Sequence, residues 1–299
     1  MKMLKVMEQR RSVREYDATP LAEPVMRGIK AIIESMPIFT GAEDVNFTVL
    51  ENGETVFQAL DGIIGYNGHM TEAPHYFLVT CSGTGNDFKV VGYLGEWLAL
   101  HLAKQDIGIC WLSCSEKSEL VMERLGVETG EHIAALIAFG EPKEGKKLSK
   151  IYNFGESPVQ SDAKKFADTK TSIKDEHYAY RKAITEIVYI NAYGNTVEID
   201  EITKRGLEEV FYYMRYAPSW GNLQPWKFIL DGERVVLVME KNEAISMDIQ
   251  KIDAGIAMLY FEVAMHDRGL PGKWYDEVDQ FKEKLNVPET YEVIGYYGQ

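Results

Sequence analysis

The chain has 299 residues, 45% of them apolar and 26% charged, which is ordinary globular composition with length for about two domains and a sizeable core. Against 32 basic residues stand 46 acidic ones, and a net charge of −14 argues against general binding to nucleic acid or to an anionic membrane, since phosphate attraction needs basic surface. Three cysteines (Cys81, Cys110 and Cys114) give no disulfide framework, and no apolar run approaches the roughly 20 residues that span a bilayer.

Leu4, Val6 and Met7 mark a short amphipathic segment that leads into Arg10, Arg11, Ser12, Val13, Arg14, Glu15 and Tyr16. With Glu8 and three arginines so early there is no signal-peptide core, and the expected setting is the cytoplasm. Arginine forks match phosphate oxygens bidentately, so this cluster in an acidic chain suits a phosphate group; a solvated basic face is the plainer reading. Met26, Ile29, Ile32 and Ile33 then recur with helical spacing until Pro37 and Gly41. Strands are expected at 47–50, at 76–81 after Pro74, at 109–113 and at 133–139. Helices are expected at 55–64, 94–105 and 117–125, and Gly140, Glu141 and Pro142 end the unit.

From Lys143 to about residue 175 apolar periodicity is lost, as in a wrapping extension or a flexible linker. A helical pattern ending in Val210, Phe211 and Met214 follows, and then comes residues 217–228, reading A-P-S-W-G-N-L-Q-P-W-K-F. Its two prolines require a loop. Trp220 and Trp226 around Ser219, Asn222 and Gln224 offer apolar walls and a few polar groups, which suits a planar heteroaromatic ligand; the alternative is a structural loop. Beyond it, 228–230 reads as a strand. Residues 256–265 are apolar almost all round except Glu262, as in a buried helix that packs on 94–102.

The later elements echo the earlier ones in order. Arg27, Gly28 and Ile29 recur as Arg205, Gly206 and Leu207; Pro37 as Pro218; Leu50 as Leu230; residues 106–109 as 267–270; Leu125 and Val127 as Leu285 and Val287; and 135–140 as 293–298. The expected organisation is a first half at 1–142 carrying the arginine motif, an extension at 143–176, and a second half at 177–299 carrying the loop.

An R-R-S-x-R-x-Y near the start followed by A-P-S-x-x-N-x-Q-P-W-x-F resembles the nitroreductase family of FMN-dependent oxidoreductases. The resemblance implies an α+β fold of two related halves, each a mixed or antiparallel sheet flanked by helices. Because family members are usually homodimers with the flavin held between subunits, it implies a pseudo-dimer in one chain, so a monomer can suffice. It assigns Arg10, Ser12, Arg14 and, less directly, Arg11 to the FMN phosphate, with Lys146 and Lys147 as auxiliary contacts. Pro218, Ser219, Trp220, Asn222 and Gln224 would lie along the flavin and ribityl chain, and Trp111, Leu112 and Ser113 over the flavin, Ser113 standing where glycine is common.

The implied reaction is ping-pong, with NAD(P)H as electron donor, a nitroaromatic, quinone or similar small molecule as acceptor, and no catalytic side chain. The first half lacks N-x-Q-P-W after Ser35 and Pro37, and the second half lacks the arginine motif, so one FMN per chain is expected. A flavin-binding protein with little turnover, a redox sensor or flavin store, is the alternative. No metal site is expected, since His69 and His75 lack the spacing of a helical zinc pair, and no nucleic-acid or membrane partner. There is no G-x-G-x-x-G after a strand, and residues 83–86 read as a turn, not a phosphate loop.

Overall fold

The computed structural model describes residues 2–38, 45–65, 68–83, 86–143 and 180–298. In chain order Met3–Gln9 (α1) and Glu23–Glu34 (α2) precede Asn46–Leu50 (β1), Gly53–Leu60 (α3), His75–Cys81 (β2), Asp87–Ala103 (α4), Gly108–Ser113 (β3), Ser118–Leu125 (α5) and His132–Gly140 (β4). After residue 180 come Ile184–Ile187 (α6), Val188–Ile190 (β5), Ile199–Lys204 (α7), Glu208–Met214 (α8), Trp226–Asp231 (β6), Arg234–Glu240 (β7), Met247–Asp267 (α9), Lys273–Tyr275 (β8), Asp279–Lys284 (α10) and Tyr291–Gly298 (β9). Most of the 143–176 extension, with Lys146 and Lys147, lies outside the described residues.

The first sheet has the order β1-β2-β4-β3 and is antiparallel throughout. β2 is apolar without a break because both its faces are covered. Phe77 and Val79 face the main core together with Ile109, Ile137 and Phe139. Tyr76 and Leu78 face the other way with Leu112, Leu136 and Val121, under α3 and α5. The second sheet has the order β5-β6-β7-β9-β8, antiparallel except for β5, which runs parallel to β6 and makes the sheet mixed. Phe228 and Leu237 join the main core, whereas Ile229 and Val236 pack on α10 with Phe281. The fold is the α+β arrangement expected from the sequence.

Between the sheets run α4 and α9, buried over most of their length. Their backbones touch at two glycines. A Cβ on Gly92 would collide with the carbonyl of Ile252, and a Cβ on Gly255 with the carbonyl of Lys89. The contact is reciprocal, because 92 and 255, like 89 and 252, are 163 positions apart.

Several boundaries differ from expectation for local reasons. α9 starts at Met247, capped by the Ser246 hydroxyl, which accepts from the Ile249 amide; its first turns carry Asp248, Gln250 and Lys251, which mask the apolar pattern. α4 begins at Asp87 rather than 94. α3 ends at Leu60 rather than 64, because Gly62 and Gly65 take φ of +82° and +87° and the Asp61 carboxylate accepts from the Met70 amide. The pairing of 106–109 with 267–270 is also corrected. Asp106 (φ +59°) and Gly269 (φ +71°) hold the equivalent left-handed turns, with Ile107 N–H bonded to Leu102 O as Leu270 N–H is to Met265 O. The pairing of Leu125 with Leu285 matches in detail, since Gly126 and Asn286 both take positive φ and Val127 and Val287 both bond back into the helix.

Candidate functional site

The arginine motif leaves α1 and runs beside β3. Ser12 bridges Ile109 in parallel, and the Val13 amide donates to the Ile109 carbonyl at 2.8 Å. Gly108 makes the approach possible, as a Cβ there would enter the Val13 side chain. Tyr16 anchors the far end, its hydroxyl donating to the Ala138 carbonyl at 3.2 Å. The motif therefore lies against the strand that carries Trp111, Leu112 and Ser113.

Arg10 turns inward. Its Nε lies 2.7 Å from Glu96 Oε1 and its Nη2 donates to Glu96 Oε2 at 2.9 Å, while Nη1 reaches the Ser12 hydroxyl at 3.3 Å. Glu96, in the middle of α4, is solvent-inaccessible. It also accepts from Trp111 Nε1 at 2.9 Å and from the Tyr260 hydroxyl of α9 at 3.2 Å. Burial pushes the Glu96 carboxyl up, opposed by the Arg10 charge and these donors. Gly95 leaves room for the Trp111 indole to lie on α4. Arg11 bonds the carbonyls of Glu8 and Arg10, and Arg14 is exposed at the outer end of the motif.

The 217–228 loop packs on α9 of the same seam. The Trp220 amide donates to both oxygens of buried Asp253 on α9, at 3.0 and 3.1 Å. With one backbone donor as compensation, burial pushes the Asp253 carboxyl up to about 8. Gly221, Asn222 and Gln224 all take positive φ, and the Ser219 hydroxyl accepts from the Gln224 amide at 2.9 Å. Trp226 does not line this loop as expected from the sequence: it is fully buried on β6, in the main core, and the apolar face that remains is that of half-buried Trp220. Leu112 is likewise buried in the core on the far face of the first sheet.

Arg181, which sequence reasoning missed, joins the two stretches. Its Nη1 donates to the Ala217 carbonyl at 2.9 Å and to Asn222 Oδ1 at 3.1 Å, and its guanidinium lies near the Tyr216 ring. Burial, then the neighbouring charges of Arg11 and Arg10, lower it to about 10. Lys182 and Tyr180 hold Gln224: the Lys182 amide donates to its Oε1 at 2.9 Å, and its Nε2 donates to the Tyr180 carbonyl at 3.2 Å. No spacing signal marks Arg181, since it follows the stretch of low periodicity; only folding brings it beside Arg10. Arg10, Arg11 and Arg181 crowd positive charge in a region where Glu96 supplies the buried counter-charge, and such crowding fits a polyanionic group. Pro218 and Ser113 are half-buried; Ser113 lines a cavity of about 110 Å³ with Ile63, Ser115 and Ile249.

Among the described residues no helix is long and apolar enough to cross a membrane, and no group of three or more His, Cys, Asp or Glu is placed to hold a metal ion. No curated protein matches the chain. A nitroreductase structure from Thermotoga maritima is similar at TM-score 0.58 and 15% identity, covering 99% of this chain and 93% of that one, a likeness of fold. A nitroreductase with bound FMN from Bacteroides fragilis gives TM-score 0.43 and 19% identity, covering 58% of this chain and 100% of that one. One from Desulfovibrio desulfuricans in complex with FMN gives 0.43 and 20%, covering 50% and 91%. The sequence model described as TM nitroreductase matches residues 2–265, and the chain belongs to that family.

Proposed function

We propose that this protein is an FMN-dependent oxidoreductase that takes electrons from NAD(P)H and passes them to a nitroaromatic, a quinone or a similar small acceptor. The carrying observation is that Arg181, bonded to Ala217 and Asn222 of the 217–228 loop, also feels the charges of Arg10 and Arg11 in the arginine motif. FMN, when bound, supplies the two-electron chemistry. Arg10, Arg11, Ser12, Arg14 and Arg181 would hold its phosphate, with Lys146 and Lys147 as further candidates. Pro218, Ser219, Trp220, Asn222 and Gln224 would face its ring edge and ribityl hydroxyls, and the backbone of Trp111, Leu112 and Ser113 would face the ring. No side chain is needed as a proton donor or base; the chain's task is to stack, orient and exclude water.

The two halves, at 1–142 and 177–299, act in this reading as the subunits of a pseudo-dimer with one site. The reciprocal glycine contact and the equivalent turns at Asp106 and Gly269 support it. A second reading, flavin binding with little turnover, is favoured by two features. The side chains of Asn222 and Gln224 are already bonded to residues 180–182. The cavity beside Ser113 is about 110 Å³, below the several hundred Å³ usual for a small-molecule site.

The decisive experiment is the visible spectrum of the purified protein, with released FMN counted per chain. One FMN per chain is expected, and Arg181→Ala should weaken FMN binding at least about tenfold, as loss of a charged phosphate contact does. Two FMN per chain would overturn the single site, and a colourless protein that takes up no FMN would overturn the cofactor. Steady oxidation of NADH or NADPH with a quinone or nitroaromatic then separates the enzyme from the flavin store.

A further inference from the structure

We propose that Glu96 is a positioning residue that locks the arginine motif and the Trp111 segment into one unit, so that the two ends of the bound flavin are held in register. This rests on the FMN reading above. A single carboxylate oxygen, Oε2, accepts from both Arg10 Nη2 and Trp111 Nε1, each at 2.9 Å. The other oxygen accepts from the Tyr260 hydroxyl at 3.2 Å, and Arg10 Nε lies 2.7 Å from it as an ion pair without a hydrogen bond.

Packing alone does not call for a carboxylate here. Leu259, the residue 163 positions later on the facing helix, is fully buried with an aliphatic side chain. Burying an ion pair is a weak route to stability, and the better-attested return is a fixed geometry. Glu96 fixes two things at once. With Nη2 bonded to Glu96 and Nε buried beside it, Arg10 has Nη1 and the Ser12 hydroxyl to present at the motif. With its indole N–H held, Trp111 keeps the edge of its ring against Gly95, next to Leu112 and Ser113 in the strand.

The test is a double-mutant cycle read as FMN affinity, by flavin fluorescence titration, with the midpoint potential of the bound flavin as a second readout. Glu96→Gln keeps the shape but removes the charge paired with Arg10 and one of the two acceptor oxygens. It should weaken FMN binding at least about tenfold and move the potential. In the wild-type background Arg10→Lys and Trp111→Phe should be non-additive by at least about threefold; in the Glu96→Gln background they should be additive. Tyr260→Phe, which removes one donor and leaves the link between Arg10 and Trp111 intact, should bind FMN as the wild type does.

If Glu96→Gln fails to fold, Arg10→Lys and Trp111→Phe still give the cycle in the parent protein, and additivity there overturns the proposal. Wild-type affinity and potential in a folded Glu96→Gln protein would overturn it while leaving the FMN reading standing. A wild-type protein that binds no FMN removes both.

Discussion

At the scale of single residues, the two buried carboxylates of the seam behave differently because their partners differ. Glu96 meets a guanidinium and two other donor groups, whereas Asp253 meets one backbone amide. The folded-state value of about 8 for Asp253 lies above the ordinary 3.8, so the folded protein keeps that proton longer than the unfolded chain. The resulting stability is fully present below about pH 4 and is lost as pH rises toward about 8. Asp253→Asn keeps an acceptor for Trp220 and removes the titration. Between about pH 5 and pH 8 the wild-type melting midpoint should therefore fall relative to the variant by roughly several degrees. Parallel melting curves across that range would exclude this role. The motif residues Arg10, Ser12, Ser219 and Asn222 were legible in the sequence because their types and spacing carry chemistry. Glu96, Asp253 and Arg181 were not, because a lone charge in an apolar or irregular stretch has no meaning until its partner, 86 residues away for Arg10 and Glu96, is known.

At the scale of elements, legibility followed burial. β2 and β4, covered on both faces, are unbroken apolar runs and sit within a residue of expectation. β7 has the same buried character without a flanking motif to mark it, and the brief β5 and β8, three residues each at the two sheet edges, carry too little pattern to read. The helix seam yields a direct test. Gly255→Ala would drive a methyl group into the Lys89 carbonyl and should destabilise by about 1–3 kcal/mol, as overpacking does. Gly28→Ala in α2 has open space around it and should stabilise by about 0.5–1 kcal/mol through helix propensity. Urea midpoints that moved in the same direction for both variants would contradict the close approach of α4 and α9.

For the whole molecule, one core cluster runs from Leu4 on α1 through both sheets to Tyr297 on β9. Two sheets that share a core have no reason to melt apart. Far-ultraviolet circular dichroism and tryptophan fluorescence, which samples Trp97 and Trp111 on one side and Trp226 and Trp274 on the other, should give coincident unfolding curves. Two separated transitions would mean that the seam is weaker than its burial implies. The reciprocal glycines also bear on inheritance. In an assembly of two identical chains one codon writes both sides of such a contact, and a carboxylate at one position confronts its own copy across the axis. Here the two sides are separate codons: Gly92 and Gly255 meet reciprocally, and four residues further along each helix stand Glu96 and Leu259. A mutation can place a charge on one side and leave the other aliphatic, so an asymmetric seam of this kind can be inherited through a single gene.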